Sequence, residues 1–331
     1  MEQVYPWQQN DWARLQELRK RPPHGLLFKG ARGIGKLDLA TQFARSLLCE
    51  HPDEAGFACG SCPSCHWFGQ GSHPDFRLLQ PEALSAEGEE SESGKKPSKQ
   101  ISVDQVRGLS DFLGMTAHQG GRRVVIIHPA EAMNVNAANA LLKNLEEPPQ
   151  GLLFILVAHK PQQLLPTILS RSLSFALTAP DTESAARWLA EQGVERPAEV
   201  LAASGFSPLQ AVQLDEQVGG ERDKLLRAVR QPALLDVFAL AEALQRTEQA
   251  LVVQWLQQWS YDLGAVKLAG RVRYHPGEEA AIRKLVESVE PLNLARLQKY
   301  LQTAKREAQH TLNPKLFLES LLFSYRQLML E

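Results

Sequence analysis

Long apolar runs are missing from this 331-residue chain. The longest, GLLFILVA at Gly151–Ala158, is the length of a buried strand and falls far short of the ~18 residues a membrane helix needs. The N-terminal stretch MEQVYPWQQ has neither the basic start nor the apolar core of a secretory leader, so a cytoplasmic protein is expected. An excess of either charge is missing too: 36 Lys and Arg stand against 38 Asp and Glu, for a net charge of −2. A free-standing DNA binder carries a basic surplus to neutralise phosphates, so contact with nucleic acid is expected to be local or made through an assembly. Cysteine is scarce: there are four, all between positions 49 and 65, which excludes a disulfide framework spread over the chain. The remainder is ordinary globular composition, 44% hydrophobic and 22% charged, with length for two or three domains.

Strand and helix patterns alternate through the first half. HGLLFKG (24–30) reads as a strand running into a Gly-rich turn, and LDLATQFARSLLCE (37–50) as a helix with apolar residues at Leu37, Ala40, Phe43, Ala44, Leu47 and Leu48. ISVDQVRGLSDFLGM (101–115) has helical spacing at Val103, Val106, Leu109, Phe112 and Leu113, and one helix is expected there. RRVVIIHPAE and GLLFILVAHK are near-continuous apolar runs, the pattern of strands buried on both faces of a parallel sheet. Between them NVNAANALLKNLEEPP reads as a helix stopped by Pro148 and Pro149. It is expected to bury Leu141, Leu142 and Leu145 and to show Lys143 and Glu146 to solvent. SLSFAL, after Arg171, is a further short strand. Residues 83–99, ALSAEGEESESGKKPSK, have the composition of a solvated loop. After Ala179–Pro180 only helical patterns follow. The plan is therefore an α/β domain over 1–178, a small helical domain over 179–217 and an all-helical domain over 218–331. Trp255 and Trp259, four residues apart on one helix face, are read as core.

The cysteines lie in CEHPDEAGFACGSCPSC. Two overlapping C-x-x-C steps form a knuckle, and Cys49 at a helix end completes the set with Cys59, Cys62 and Cys65. Four thiolates suit a closed, structural Zn²⁺ site with no position left for catalytic water. Disulfides are the competing reading, disfavoured in a cytosolic chain. His51, His66 and His73 lie near as substitute ligands but read as ordinary histidines. Residues 49–65 contain neither Lys nor Arg, which ranks a zinc-dependent DNA-binding module last among the readings.

GARGIGK at 30–36 is a phosphate-binding loop in the required strand–loop–helix context. Gly30, Gly33, Gly35 and Lys36 supply the cradle. What is missing is the metal machinery. The Ser or Thr that should follow the Lys is Leu37, and the acids that should end RRVVII are His128 and Pro129. A hydroxyl and a carboxylate are what hold Mg²⁺ in working NTPases of this kind. No Mg²⁺ site is expected, and ATP or ADP is expected to bind weakly or not at all. Glu131 is the one nearby acid that could serve instead.

The chain resembles the clamp-loader branch of the AAA+ proteins. The residues that carry the likeness are YPW (5–7), GARGIGK, the C-x9-C-x2-C-x2-C cysteines, SHPDF (72–76), ISVDQVR (101–107), NALLKNLEEPP (139–149), LLPTILSR (164–171) and NPKLFLESLLF (313–323). They span nearly the whole chain. The resemblance implies an α/β P-loop (AAA+, RecA-like) domain with a parallel sheet and an inserted zinc module, then a small helical lid and an all-α collar that holds a ring together. It implies a subunit of the replicative DNA polymerase III assembly that helps load a sliding clamp onto primed DNA. The implied partners are gamma/tau- and delta-type subunits, and the clamp and primer-template DNA through the complex. The hydrolysing gamma/tau type keeps the Ser/Thr and the Asp-Glu acids, and this chain departs at both. An active ATPase of that type is the alternative reading, opposed by Leu37, His128 and Pro129. The family's Ser-Arg-Cys motif places an arginine finger in the neighbouring subunit's ATP site. Here it is Ser170-Arg171-Ser172, so the resemblance assigns Arg171 that role in trans. The family's sensor position falls near His159, and its lid arginine is absent from Ser207-Pro208-Leu209-Gln210.

Overall fold

In the computed structural model the described residues are 4–85, 97–114, 121–217, 219–308 and 313–331, with side chains omitted at 214–219. Most of the expected loop 83–99 lies outside them. The chain divides into two compact units, Met1–Asp181 and Thr182–Glu331.

The first unit is built on a five-stranded sheet, every strand pairing parallel to its neighbours. α1 (Gln9–Lys20) precedes β1 (Gly25–Lys29), and the Gly-rich loop leads into α2 (Lys36–Leu48). α3 (Pro63–Gly69) follows the cysteines and runs into β2 (Phe76–Leu79). α4 (Val103–Arg107) and α5 (Ser110–Gly114) lead to β3 (Arg123–Ile127), and α6 (Val135–Glu146) to β4 (Leu152–Ala158). α7 (Pro166–Arg171) ends directly before β5 (Leu173–Ala176). The strand order is β2-β3-β4-β1-β5. The apolar runs behave as read: β3 and β4 are buried along their whole length. Two clusters form the core, one on each face of the sheet. Leu27, Val125, Ile127, Phe154 and Leu156 pack with α4–α7, while Leu26, Phe28, Val124, Ile126, Ile155 and Val157 pack with α1 and α2. This is the alternation that a strand's period of two imposes.

The single helix expected over 101–115 is two. A capping box starts α4: Ser102 Oγ accepts from Gln105 N (3.2 Å) and Gln105 Oε1 from Ser102 N (2.9 Å). Gly108, a poor helix former, caps it by donating to Asp104 O, and Leu109 N reaches only three residues back, to Val106 O. Leu109, Phe112 and Leu113 are buried as expected, and Met115 lies outside the described residues.

In the second unit the described residues form helices only: α8 (Thr182–Glu191), α9 (Pro197–Ala203), α10 (Pro208–Gln217), α11 (Gly219–Val229), α12 (Val237–Leu244), α13 (Gln249–Ala269), α14 (Glu279–Ser288), α15 (Pro291–Glu307) and α16 (Pro314–Leu330). Two separate cores form. A small one joins Ala185, Leu189, Val194, Leu201 and Ala211, and a large one runs from Leu225 to Met329. Trp255 and Trp259 are fully buried in the large one. The polar edge of Trp259 is satisfied: Nε1 donates to Tyr325 Oη (2.9 Å), which donates to Val229 O (2.7 Å). Among the described residues no helix is long and apolar enough to cross a membrane.

Candidate functional site

The parallel sheet brings together what the chain keeps apart. β1, β3 and β4 all end at the same edge, so the loop after Lys29, His128 after β3 and His159 after β4 converge at the C-terminal edge, where α/β folds bind ligands. Gly33 (φ +72°) and Gly35 (φ +83°) adopt the left-handed backbone that the tight loop needs. Lys36 is buried, and its Nζ donates to the loop's own carbonyls, Gly30 O at 2.8 Å and Ala31 O. Burial lowers its pKa to about 8, against the attraction of Glu131.

The N-terminal segment lies on this loop. Gln8 Nε2 donates to Ile34 O (2.9 Å) and Gly35 O (2.8 Å), and Trp7 Nε1 to Ile34 O (3.0 Å). A Cβ on Gly35 would sit 2.5 Å from the Tyr5 ring. Leu37, in the hydroxyl position, packs on the sheet's apolar core. Glu131 lies on the 3₁₀ turn Ala130–Ala132. Its carboxylate accepts from the backbone of His159 (3.0 Å) and Lys160 (3.0 Å), so the acid considered as a substitute metal ligand caps the end of β4. His128 and His159 meet edge to face with centroids 5.3 Å apart. Burial first, and then the Lys36 charge, lowers their pKa values to about 4 and about 3. Both imidazoles are therefore neutral at pH 7.

Arg171 lies at the other edge of the sheet, at the end of α7 and just before β5. Its Nη2 is 2.8 Å from Glu146 Oε1, and its Nη1 donates to Thr167 O (3.3 Å) and Ser170 Oγ (3.4 Å). Lys143 and Glu146 are exposed as expected and Leu141 and Leu145 buried, while Leu142 is only partly buried. Nothing in the sequence pattern pairs Glu146 with Arg171; the approach of α6 to α7 does. Gly25, at the start of β1, is the seat: a Cβ there would lie 3.1 Å from Arg171 O and 3.2 Å from Leu145 Cδ2.

Cys49, Cys59, Cys62 and Cys65 place their sulfurs within 4.8 Å of one another. Cys49 Sγ and Cys62 Sγ are 3.9 Å apart, and Cys59 Sγ and Cys65 Sγ 4.0 Å. Disulfide sulfurs would be at about 2.05 Å, whereas Zn–S bonds of about 2.3 Å in a tetrahedron separate sulfurs by about 3.8 Å. The donor set therefore fits zinc. The backbone of Cys59 donates to Cys49 Sγ (3.2 Å) and that of Cys65 to Cys62 Sγ (3.4 Å), as outer-shell donors do around metal thiolates. Gly60 takes φ +78° in the knuckle and Pro63 opens α3. Two of the three nearby histidines are engaged elsewhere, and His51 is exposed. His73 is buried with Nε2 2.8 Å from Ser64 Oγ and Nδ1 accepting from Asp75 N (3.0 Å), and His66 pairs with Gln70.

Comparison with known proteins identifies the family. The family model described as DNA polymerase III, delta subunit matches residues 8–181. DNA polymerase III subunit delta' of Pseudomonas aeruginosa is 39% identical over 91% of this chain and 84% of its own length. The subunit delta' of Escherichia coli K12 is 32% identical over 76% of this chain and 73% of its own. The tau/gamma subunit of Haemophilus influenzae is 35% identical, but over 50% of this chain and 22% of its own length. Delta' relatives matched over more of the chain than its first unit alone place it in the delta-prime family of DNA polymerase III clamp-loader subunits.

Proposed function

We propose that this chain is a non-hydrolysing member of the clamp-loader ring, which donates Arg171 to the ATP site of its neighbour. The observation that carries the reading is the contrast between the two edges of the sheet. The loop edge has Lys36 bonded to its own loop, Tyr5 and Gln8 laid over Gly35, and Leu37 packed, partly buried, against the core. The opposite edge holds an arginine whose side chain is 35% exposed on a firmly seated helix end. A finger supplied in trans stabilises the charge on a transferring phosphoryl group and is worth about 10³–10⁵ in rate. Gamma/tau and delta subunits are the ring partners, and the chain meets the sliding clamp and primer-template DNA through the assembled complex in the cytoplasm. Residues 179–217 act as the lid and 218–331 as the collar; the two separate helical cores support that division. Zn²⁺ held by Cys49, Cys59, Cys62 and Cys65 is structural. It staples a loop whose own core is too small to fold.

The test is ATP turnover, with clamp and primed DNA present, by the chain alone, by the reconstituted complex, and by the complex carrying Arg171→Ala. The chain alone should show none, and the Arg171→Ala complex should lose about 10³-fold at the affected site. Turnover by the isolated chain would overturn the reading.

A further inference from the structure

The proposed finger is not a free side chain. We infer that Glu146 is its positioning residue, holding the Arg171 guanidinium in the orientation it presents to a phosphate; this rests on the finger reading above.

The argument starts in the sequence Glu146-Glu147-Pro148-Pro149. Pro148 cannot continue a helix, so Glu146 is fixed as the last residue of α6. Arg171 is likewise the last residue of α7. The two helix ends meet over the start of β1, where Arg171 O and Leu145 Cδ2 crowd Gly25 closely enough that an added Cβ would lie 3.1 Å and 3.2 Å from them. The start of β1 thus packs closely on the backbone of Arg171 and on the side chain of Leu145, beside Glu146. On that base, Nη2 meets Glu146 Oε1 at 2.8 Å while Nη1 has only the long contacts to Thr167 O (3.3 Å) and Ser170 Oγ (3.4 Å). A guanidinium has five N–H groups in a rigid planar fork. Its one charged contact, the 2.8 Å ion pair with Glu146, therefore draws the fork toward the end of α6. Among the described residues Nε makes no hydrogen bond and Nη2 has only its ion-pair contact with Glu146, so both are available to phosphate oxygens. Removing that contact leaves a long side chain to find its place on its own, at a cost in orientation.

The pair is half-exposed, with side-chain exposures of 35% and 49%, which bounds its effect. An exposed pair reaches the worth of about a five-fold factor at most. The experiment is steady-state ATP turnover by the reconstituted complex with clamp and primed DNA. The variants are Glu146→Ala, Glu146→Gln, Arg171→Ala and the double Arg171→Ala/Glu146→Ala. Glu146→Ala should lower kcat about five-fold and leave the KM for ATP unchanged. Glu146→Gln, which keeps an acceptor oxygen at the same reach, should recover part of that loss. In the Arg171→Ala background Glu146→Ala should have no further effect, because it acts only through the arginine. A large Arg171→Ala loss with Glu146→Ala silent, or with the same Glu146→Ala loss in both backgrounds, would overturn this inference and leave the finger standing. Turnover unaffected by Arg171→Ala would overturn the finger, and the positioning role with it.

Discussion

β1 is five residues long and separates two sites with different histories. At its end the phosphate loop keeps the glycines and the lysine of a nucleotide cradle, yet the polar groups around that cradle are engaged by the chain itself: Lys36 by Gly30 and Ala31, Ile34 and Gly35 by Gln8, Glu131 by His159 and Lys160. At its start, about 13 Å away by strand rise, Gly25 seats an arginine that still has donors to offer. On the proposed reading, a nucleotide fold divides into a part that receives phosphate and a part that reaches for it, and one chain loses the first while keeping the second. The strongest way to break the comparison is Arg171→Ala, because about 10³-fold in turnover at the neighbouring ATP site hangs on one side of it.

Which of these features the sequence discloses follows from how local each one is. β3 and β4 are legible because burial on both faces writes a continuous apolar run. The four cysteines are legible because their ligand spacing is a local property of 17 residues. β2 escapes notice: it is four residues long at the sheet edge, its two middle residues are exposed, and it carries no period. The α4–α5 break turns on Gly108 alone, which helical spacing of the apolar residues conceals. The cover over the phosphate loop and the Glu146–Arg171 pair are not legible at all. Gln8 and Ile34 are 26 residues apart, and α6 and α7 meet only because β4 and the sheet return the chain between them. Tertiary contact decides such pairs, and no local pattern records them.

Removing the metal tests whether the knuckle stands apart from both edges. The chain should contain one zinc, and a strong chelator or Cys62→Ser should remove it. The four thiols then have no cation to offset their approach: burial pushes the Cys65 thiol up to about 12 and Cys49 upward, while backbone hydrogen bonds from Ser61 and Cys62 lower Cys59 to about 6. Hydrogen exchange should show lost protection over 49–73 with β1, β3 and β4 unchanged. Exchange spreading into β1 would mean that the module supports the sheet and is no independent staple.

A smaller effect comes from the histidines at the loop edge. Their folded pKa values, about 4 for His128 and about 3 for His159, lie below the unfolded value of about 6.5. The unfolded chain therefore binds more protons across that interval. The stability present above pH 6.5 is lost as pH falls toward the folded values. Carboxylates titrate in the lower part of the same range, so the informative quantity is a difference: urea midpoints of wild type against His128→Asn/His159→Asn between pH 7 and pH 4.5. The double variant should lose less stability over that interval. Equal losses would mean that the imidazoles are hydrated in the folded chain and that the loop edge is open.

The smallest expected effect is the most direct probe of the loop. Leu37→Thr restores the hydroxyl that a phosphate loop places on Mg²⁺. It should restore no turnover to the isolated chain, and should cost roughly 1 kcal/mol of stability by withdrawing apolar contact from the core. A hydroxyl is one ligand, and Mg²⁺ also needs carboxylate oxygen in a fixed octahedral arrangement. Glu131 already accepts from two backbone N–H groups, His128 offers a neutral imidazole, and Tyr5 and Gln8 lie over the glycines a phosphate would approach. Turnover rising with Leu37→Thr alone would reduce the difference between the two edges to a single side chain. Its absence, measured beside binding of a fluorescent ATP analogue, would show the loss distributed over the loop, the end of β3 and the N-terminal cover. In that case repair requires all three, and no single substitution at the loop edge turns it into a working site.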